Sequence, residues 1–355
     1  MPRLTVVLTG LLFIYLTAGV PAQDASLQSP PQPRPADAPR LAPLRRTDNG
    51  TPIRTASQWR NEREAIQSRW LEFMGQWPSR RAPLKTEWLQ SENFPEFTRQ
   101  FVRYQIEDGV WTDGYLLTPK GAKKRLPAVV VFHPTTPLQA KGVAGVDESY
   151  PEEKRMGPHI AARGYVVWCP RNFIFDEGAD WKGNTRRMQQ RHPDWTGMTR
   201  MTWDAIRAAD FLESLSFVDR RRIGCIGHSL GGKVALYAGA FDERYKAVVS
   251  SEGGIGLRFS NWDAAWYFGP QIKQFGFPLE NHQVLALIAP RAFLLLAGES
   301  ADNDKGWAFI EAVQPVYKIT GAAENIGWFN HRQGHAYSPE ARAVAEWFLD
   351  KHLKK

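Results

Sequence analysis

The run RIGCIGHSLGGK, residues 222–233, decides the fold. Residues 222–226 are a short apolar stretch typical of a buried strand, and a helical pattern begins after Gly231. Gly227 and Gly231 leave room for a sharp turn between the two, which exposes the hydroxyl of Ser229 above the sheet. We therefore interpret Ser229 as a nucleophile. A glycine-rich turn that carries a solvated serine is the alternative.

Strand and helix patterns alternate on both sides of this run. The predicted strands are 97–106, 110–117, 126–132, 165–169, 222–227, 245–250, 291–297 and 326–330. The predicted helices are 56–77, 152–163, 199–215, 231–240 and 339–353. The first two strands form a hairpin, and repeated β-α units follow. Because parallel strands need crossover connections, the pattern predicts an α/β fold with a mostly parallel eight-stranded sheet and helices on both faces.

A serine nucleophile needs a base, and His335 is the best placed histidine. It lies between the last predicted strand and the last helix, late in the chain, where a serine hydrolase of this topology carries its histidine. His331 is the alternative, although its place nearer the strand suits packing. His228 adjoins the serine and is predicted to pack against the sheet without moving a proton.

The acid that orients the histidine has two candidates. Asp302 follows the strand 291–297, which usually carries this acid. Glu252 follows the strand 245–250 and precedes two glycines, a position that does not suit a merely solubilising charge. Both assignments remain open at this point. Nearby Glu299 and Asp304 are interpreted as solvated loop charges.

Two backbone N–H groups are predicted to bind the oxyanion that forms during acyl transfer. One belongs to Leu230, the residue after the nucleophile. The other lies in the loop after strand 126–132, where Pro134 has no N–H, so Thr135 is the expected donor and Thr136 the alternative.

From Phe97 onward the chain resembles the α/β-hydrolase superfamily, and within it the dienelactone-hydrolase and acetylxylan-esterase branches, through Ala-Pro-Arg at 289–291. It also resembles glucuronoyl esterases, through Ser-x-x-Gly-Lys at 229–233 and the position of Glu252. This resemblance implies that Lys233 contacts sugar hydroxyls, with a solvent-exposed lysine in the first turn of the helix as the alternative. Those enzymes usually carry Arg after the serine, and this chain has Leu230 instead.

Two long segments, 172–198 and 253–290, follow strand ends where substrate loops lie. They are rich in aromatic and basic residues. We predict Trp262, Trp266 and Arg258 as substrate contacts, with core packing or a solvated charge as the alternative for each.

The chain has 355 residues, and its first 22 are predicted to be a signal peptide, with an uncleaved anchor as the alternative. Residues 23–54 are rich in Pro, Ala and Arg, which predicts a disordered linker, and 55–355 are the expected catalytic domain. The net charge of +8 is scattered along the chain, which argues against nucleic-acid binding. Cys169 and Cys225 fall in apolar runs and are predicted to be free buried thiols.

The sequence therefore predicts a secreted or periplasmic serine esterase that acts through an acyl-enzyme on a small-molecule or polysaccharide ester of acetyl, feruloyl or glucuronoyl type. No metal or organic cofactor is expected, and no stable membrane insertion after signal cleavage. A prolyl-oligopeptidase-like peptidase and a catalytically silent carbohydrate-binding protein are the alternatives.

Overall fold

The structure is a computed structural model that describes residues 27–47 and 49–354. The predicted signal peptide lies outside these residues. The strands are β1 Glu87–Asn93, β2 Phe97–Glu107, β3 Val110–Pro119, β4 Leu126–Phe132, β5 Val166–Pro170, β6 Val218–His228, β7 Tyr245–Ser251, β8 Ala292–Ala297 and β9 Ile326–Asn330. The α-helices are α1 Ala56–Met74, α2 Gln139–Val143, α3 Met156–Ala162, α4 Trp181–Arg191, α5 Gly197–Ser214, α6 Leu230–Phe241, α7 Asn281–Ala286, α8 Trp307–Ile319 and α9 Pro339–Leu353. Within the described ranges, no helix is long and apolar enough to cross a membrane.

The strands form one sheet in the order β1-β2-β3-β5-β4-β6-β7-β8-β9. Pairing is antiparallel between β1 and β2, between β2 and β3, and between β3 and β5. The remaining neighbours, in the order β5-β4-β6-β7-β8-β9, pair in parallel. The carboxyl ends of the six parallel strands therefore meet at one edge of the sheet. Active sites of open α/β sheets lie at this edge.

Alternate residues of the central strands enter two separate hydrophobic cores. In β4, Val130 packs in the core that includes α1, α5, α6 and α8, whereas Val129 and Val131 pack in the core that includes α3 and α9. This alternation follows from the two-residue period of a strand. Because both faces are covered, the central strands are apolar throughout, as in the fully buried β8.

The sheet has nine strands among the described residues, where the sequence predicted eight. The missed strand is β1, which pairs with β2 at the edge of the sheet. Its sequence is largely polar and its residues are mostly exposed, so it lacks the alternation by which strands are recognised. Four helices of the described part of the chain were not predicted: α2, α4, α7 and α8. Two of them, α4 and α7, lie within the segments 172–198 and 253–290 that were expected to be loops.

The described part of residues 23–54 packs against the domain, so the prediction of a disordered linker is wrong for that part. Leu27, Leu44 and Ile53 are buried in the two cores. The Leu27 carbonyl accepts a hydrogen bond of 2.8 Å from the Trp328 N–H, on edge strand β9. A few apolar anchors therefore hold a segment whose composition alone favours disorder.

Replacing Leu27 by alanine should destabilise the protein by about 2 kcal/mol, because a buried side chain leaves a cavity beside β9. The measurement is urea unfolding of the purified protein. Leu89→Ala is the matched control, because Leu89 is half exposed on β1 and its loss should change stability by less than about 0.5 kcal/mol. Equal stability of the Leu27 variant and the unchanged protein would show that this segment does not pack as described.

Cys169 and Cys225 are both buried and free, as predicted. They lie on β5 and β6, which are separated by β4. Burial raises the pKa of both thiols, so they remain protonated.

Candidate active site

Ser229 sits at a strained turn between β6 and α6, with φ 59° and ψ −117°. A Cβ on Gly227 would meet the Gly231 backbone at 2.2 Å, so only glycine fits there. The Ser229 N–H donates to the Ser251 carbonyl at 2.8 Å, which ties the turn to the end of β7. The side chain makes no capping bond to α6, so its hydroxyl is not committed to the helix.

His335 and Glu252 contact each other directly, with His335 Nδ1 3.0 Å from Glu252 Oε2. The Glu252 side chain is fully buried, and its carboxylate also accepts the N–H groups of Gly298 and Ala301, the latter at 2.8 Å. Three donors therefore hold this carboxylate in place. When His335 donates its Nδ1–H to Glu252, Nε2 is left as the proton acceptor.

Asp302 supports the turn that follows Glu252 and does not bind His335. Its carboxylate is buried and accepts the N–H groups of Gly254 at 2.8 Å and Ile255 at 2.6 Å. The pKa of Asp302 is raised to about 6, chiefly by burial and also by the nearby Glu252 charge, which together outweigh the lowering effect of these hydrogen bonds. Of the two predicted acids, Glu252 alone is in contact with the predicted base.

The other two histidines of this region have structural contacts. His228 is buried, with Nδ1 3.0 Å from Ser251 Oγ, and burial lowers its pKa to about 3. His331 packs so closely against Gly298 that a Cβ there would lie 2.5 Å from the ring, and its Nδ1 accepts the Gln333 N–H. Both therefore behave as the packing residues that the sequence predicts.

The loop after β4 packs against the start of α6. A Cβ on Gly231 would lie 1.9 Å from the Phe132 carbonyl oxygen, so this loop and the serine turn are in close contact. Leu230 is the first residue of α6, and the first N–H groups of a helix have no partner within it. Thr135 is exposed, and its side chain hydrogen-bonds the Tyr267 hydroxyl. Both predicted oxyanion donors thus belong to backbone segments that touch.

Lys233 is buried, although the resemblance predicted a contact with substrate hydroxyls and the alternative was a solvent-exposed side chain. Its ammonium donates to the Gly253 carbonyl and to Ser260 Oγ at 2.9 Å, and it lies 4.4 Å from the centre of the Trp262 ring. Burial lowers its pKa to about 7. These contacts hold the segment that follows Glu252.

Trp262 is wrong as a substrate contact, because its side chain is fully buried. Its indole N–H donates to the Gly254 carbonyl at 2.7 Å, and its ring stacks on Phe268. The packing alternative holds for this residue. Trp262 therefore supports the turn after Glu252 from within the core.

Trp266 and Arg258 lie nearer the surface than Trp262. Trp266 is half-buried and packs edge-on against Trp181, with ring centres 5.2 Å apart, in a groove that Phe175 and Gln139 also line. Arg258 is exposed and has Glu280 as an electrostatic neighbour. Trp266 is therefore accessible in a surface groove, unlike the buried Trp262.

Sequence reasoning missed the residues that hold Glu252, namely Gly298 and Ala301, and the role of Asp302 in bracing the turn. They contribute backbone N–H groups, which any residue except proline has, so no residue type signals them. Within residues 27–47 and 49–354, no group of three or more His, Cys, Asp and Glu side chains forms a potential metal site.

Residues 112–263 match the dienelactone hydrolase family. Among curated proteins, the chain is 26% identical to YtaP of Bacillus subtilis, named as a hydrolase, over 67% of this chain and 83% of that protein. It is 28% identical to 4-O-methyl-glucuronoyl methylesterase 1 of Sodiomyces alcalophilus, over 44% of this chain and 38% of that protein. The chain thus spans less than two fifths of the second relative's length.

Among solved structures, a glucuronoyl esterase from Solibacter usitatus superposes with a TM-score of 0.70. The alignment covers 89% of this chain and 99% of that one at 21% identity, which shows a shared fold. The chain is therefore a serine carboxylic ester hydrolase with the α/β-hydrolase fold, and its residues 112–263 match the dienelactone hydrolase family.

Proposed function

We propose that this protein hydrolyses a carbohydrate-linked carboxylic ester through an acyl-enzyme on Ser229. The observation that carries the proposal is the 3.0 Å contact between His335 and the fully buried Glu252. Glu252 directly follows Ser251, whose carbonyl accepts the N–H of Ser229 in its strained turn. A nucleophile, a base and an acid in this order along the chain suit acyl transfer.

In the first step, His335 Nε2 removes the proton from Ser229 Oγ as the oxygen attacks the ester carbonyl carbon. The carbonyl π bond opens to an oxyanion, which accepts hydrogen bonds from the N–H groups of Leu230 and Thr135. The intermediate then collapses, the bond to the alcohol oxygen breaks, and His335 gives its proton to the leaving alcohol. Glu252 stabilises the imidazolium throughout.

In the second step, water replaces the alcohol. His335 removes a proton from the water as it attacks the acyl carbon, and the same two N–H groups hold the second oxyanion. Collapse breaks the bond to Ser229 Oγ, which regains its proton from His335. The free acid leaves, and the protein returns to its starting state.

A sugar-linked substrate is supported by the relatives and by the groove beside the oxyanion loop. Several of the related proteins are named as esterases of carbohydrate or glucuronoyl groups. Trp181, Trp266 and Phe175 present aromatic rings in the groove, and sugar rings or aromatic alcohols stack on such surfaces. Its charged lining residues are Asp176, Glu177, Asp180 and Lys182, and this excess of carboxylates favours a neutral ester over an anionic one.

A panel of substrates tests the proposed function: acetylated xylan, methyl glucuronate, feruloylated sugar, p-nitrophenyl acetate and one peptide amide. We expect hydrolysis of p-nitrophenyl acetate and of at least one carbohydrate ester, with no cleavage of the amide. Failure on every ester by a correctly folded protein would overturn the proposal. Cleavage of the amide would instead support the alternative function, a prolyl-oligopeptidase-like peptidase.

Replacing Trp266 by alanine should raise KM for the preferred carbohydrate ester about 3- to 10-fold, because one aromatic contact contributes about 0.5–1.5 kcal/mol. The kcat/KM for p-nitrophenyl acetate, which is too small to fill the groove, should change by less than about twofold. Trp88→Ala is the matched control, since Trp88 is exposed on β1 at the far side of the sheet. If Trp266→Ala impairs hydrolysis of both substrates equally, the groove does not bind the carbohydrate part of the substrate.

We also propose that the protein is exported, on the basis of the apolar run and small residues within the first 22 residues. Polysaccharide esters are found outside the cytoplasm, so export suits the proposed substrate. N-terminal sequencing of protein secreted by the native host tests the cleavage site, which we expect after Ala22.

A further inference from the structure

His133 stands at the start of the loop after β4 and uses both ring nitrogens to hold backbone groups. Its ring is buried, with Nδ1 2.8 Å from the Pro134 carbonyl oxygen. Its Nε2 accepts the N–H of Asn172, at the start of the loop after β5, at 3.1 Å. The proposed reaction gives this histidine no part in proton transfer, so its burial and its two contacts need a different explanation.

The contact with Asn172 fixes which ring nitrogen of His133 carries the proton. A backbone N–H only donates, so Nε2 must present its lone pair to Asn172. The single proton of the neutral ring is then on Nδ1 and is donated to the Pro134 carbonyl. Burial lowers the pKa of His133 to about 4, which keeps the ring neutral at ordinary pH.

The Pro134 carbonyl belongs to the same peptide unit as the Thr135 N–H. This peptide is trans, and in a trans peptide the C=O and the N–H point in opposite directions within one plane. Holding the carbonyl against the His133 ring therefore fixes the direction of the Thr135 N–H, away from that ring. Donation to the carbonyl also polarises the peptide, which strengthens the N–H as a donor.

Two further contacts keep this peptide from moving as a whole. The carbonyls of Phe132 and His133 lie against Gly231, where an added Cβ would meet them at 1.9 and 3.1 Å. On the other side, the His133 ring packs near Phe175, with ring centres 5.4 Å apart. The loop is thus held between the first turn of α6 and the loop after β5.

We propose that His133 is a positioning residue for catalysis: its ring orients the Pro134–Thr135 peptide so that the Thr135 N–H binds the oxyanion. This inference rests on the proposed function of Ser229. It assigns to a buried histidine the task of keeping an oxyanion donor aimed before substrate arrives, so that no reorientation is needed during the reaction.

Three substitutions separate this role from simple packing. In His133→Asn, the side-chain NH₂ takes the place of Nδ1–H and still donates to Pro134, while the contact with Asn172 is lost. In His133→Gln, the longer side chain places its amide oxygen near the Nε2 position, so it accepts from Asn172 and leaves the Pro134 carbonyl unpaired. His133→Phe keeps a ring of similar size and loses both contacts.

We expect His133→Gln and His133→Phe to lower kcat for p-nitrophenyl acetate about 10²-fold with KM within twofold, as for loss of an oxyanion donor. His133→Asn should keep kcat within about fivefold. Thermal melting of each variant reports packing separately. If the Gln variant does not fold, the contrast between Asn and Phe carries the same test.

Equal kcat losses in the Asn and Phe variants, or full kcat in the Gln variant, would overturn the role of His133. A rise in KM at unchanged kcat would do the same, because it indicates a ground-state binding role. These outcomes are distinct from failure of the proposed function, which appears as undiminished hydrolysis by Ser229→Ala.

Discussion

Ser229→Ala is expected to lower the hydrolysis of p-nitrophenyl acetate by about 10⁴-fold or more. The variant keeps the Cβ and therefore the backbone strain of the turn at φ 59°, and it removes only the oxygen that attacks the substrate. Because the hydroxyl makes no capping bond to α6, its loss should leave the melting temperature nearly unchanged. Initial rates and a melting curve on the same purified sample measure both quantities.

Ser214→Ala is the matched control for this substitution. Ser214 is exposed at the end of α5, near the amino-terminal end of β6 and so at the edge of the sheet opposite Ser229. Loss of the Ser214 hydroxyl should change the rate of p-nitrophenyl acetate hydrolysis by less than about twofold. A Ser229 variant that retains most of the activity would show that another group attacks the ester, and the acyl-enzyme mechanism would then be wrong.

The fold followed from residues 222–233 because this run combines local signals that agree with one another. An apolar strand, two glycines that tolerate a tight turn and a helix with apolar spacing each favour the same arrangement. Gly227 and Gly231 stand where an added Cβ would collide with backbone, so their identity reflects a steric requirement of the turn. Signals of this kind are local, and sequence alone is enough to recognise them.

Features that depend on one or two side chains were harder to predict. Leu27 and Leu44 anchor a proline-rich segment, yet isolated apolar residues have no period that distinguishes them from a disordered chain. The polar edge strand β1 forms mainly through backbone hydrogen bonds with β2. In both cases the stabilising contacts come from distant residues that the local pattern does not contain.

The choice between Glu252 and Asp302 shows the same limit within the site. Both acids follow buried strands and reach the same edge of the sheet, so their positions along the chain do not separate them. The difference lies in direction. Glu252 has φ 49° and its carboxylate reaches His335, whereas the Asp302 carboxylate is occupied by the N–H groups of Gly254 and Ile255.

Glu252→Gln is expected to lower kcat for p-nitrophenyl acetate about 10³- to 10⁴-fold, with a small change in KM. Oε1 accepts the Gly298 N–H, while Oε2 accepts both the Ala301 N–H and His335. A glutamine has one oxygen, so its NH₂ must face one of these sets of donors. If it faces His335, the ring must present a lone pair at Nδ1 and carry its proton on Nε2, which then has no capacity to accept the serine proton.

Asp302→Asn is the comparison that makes this test specific. It changes a buried carboxylate to an amide in the same way, and its NH₂ must oppose the N–H of either Gly254 or Ile255. That mismatch should cost about 1–3 kcal/mol of stability. Because Asp302 touches the turn after Glu252 and not His335, its kcat should fall by no more than about tenfold. A larger loss of kcat in Asp302→Asn than in Glu252→Gln, with both proteins folded, would reverse the assignment of the acid.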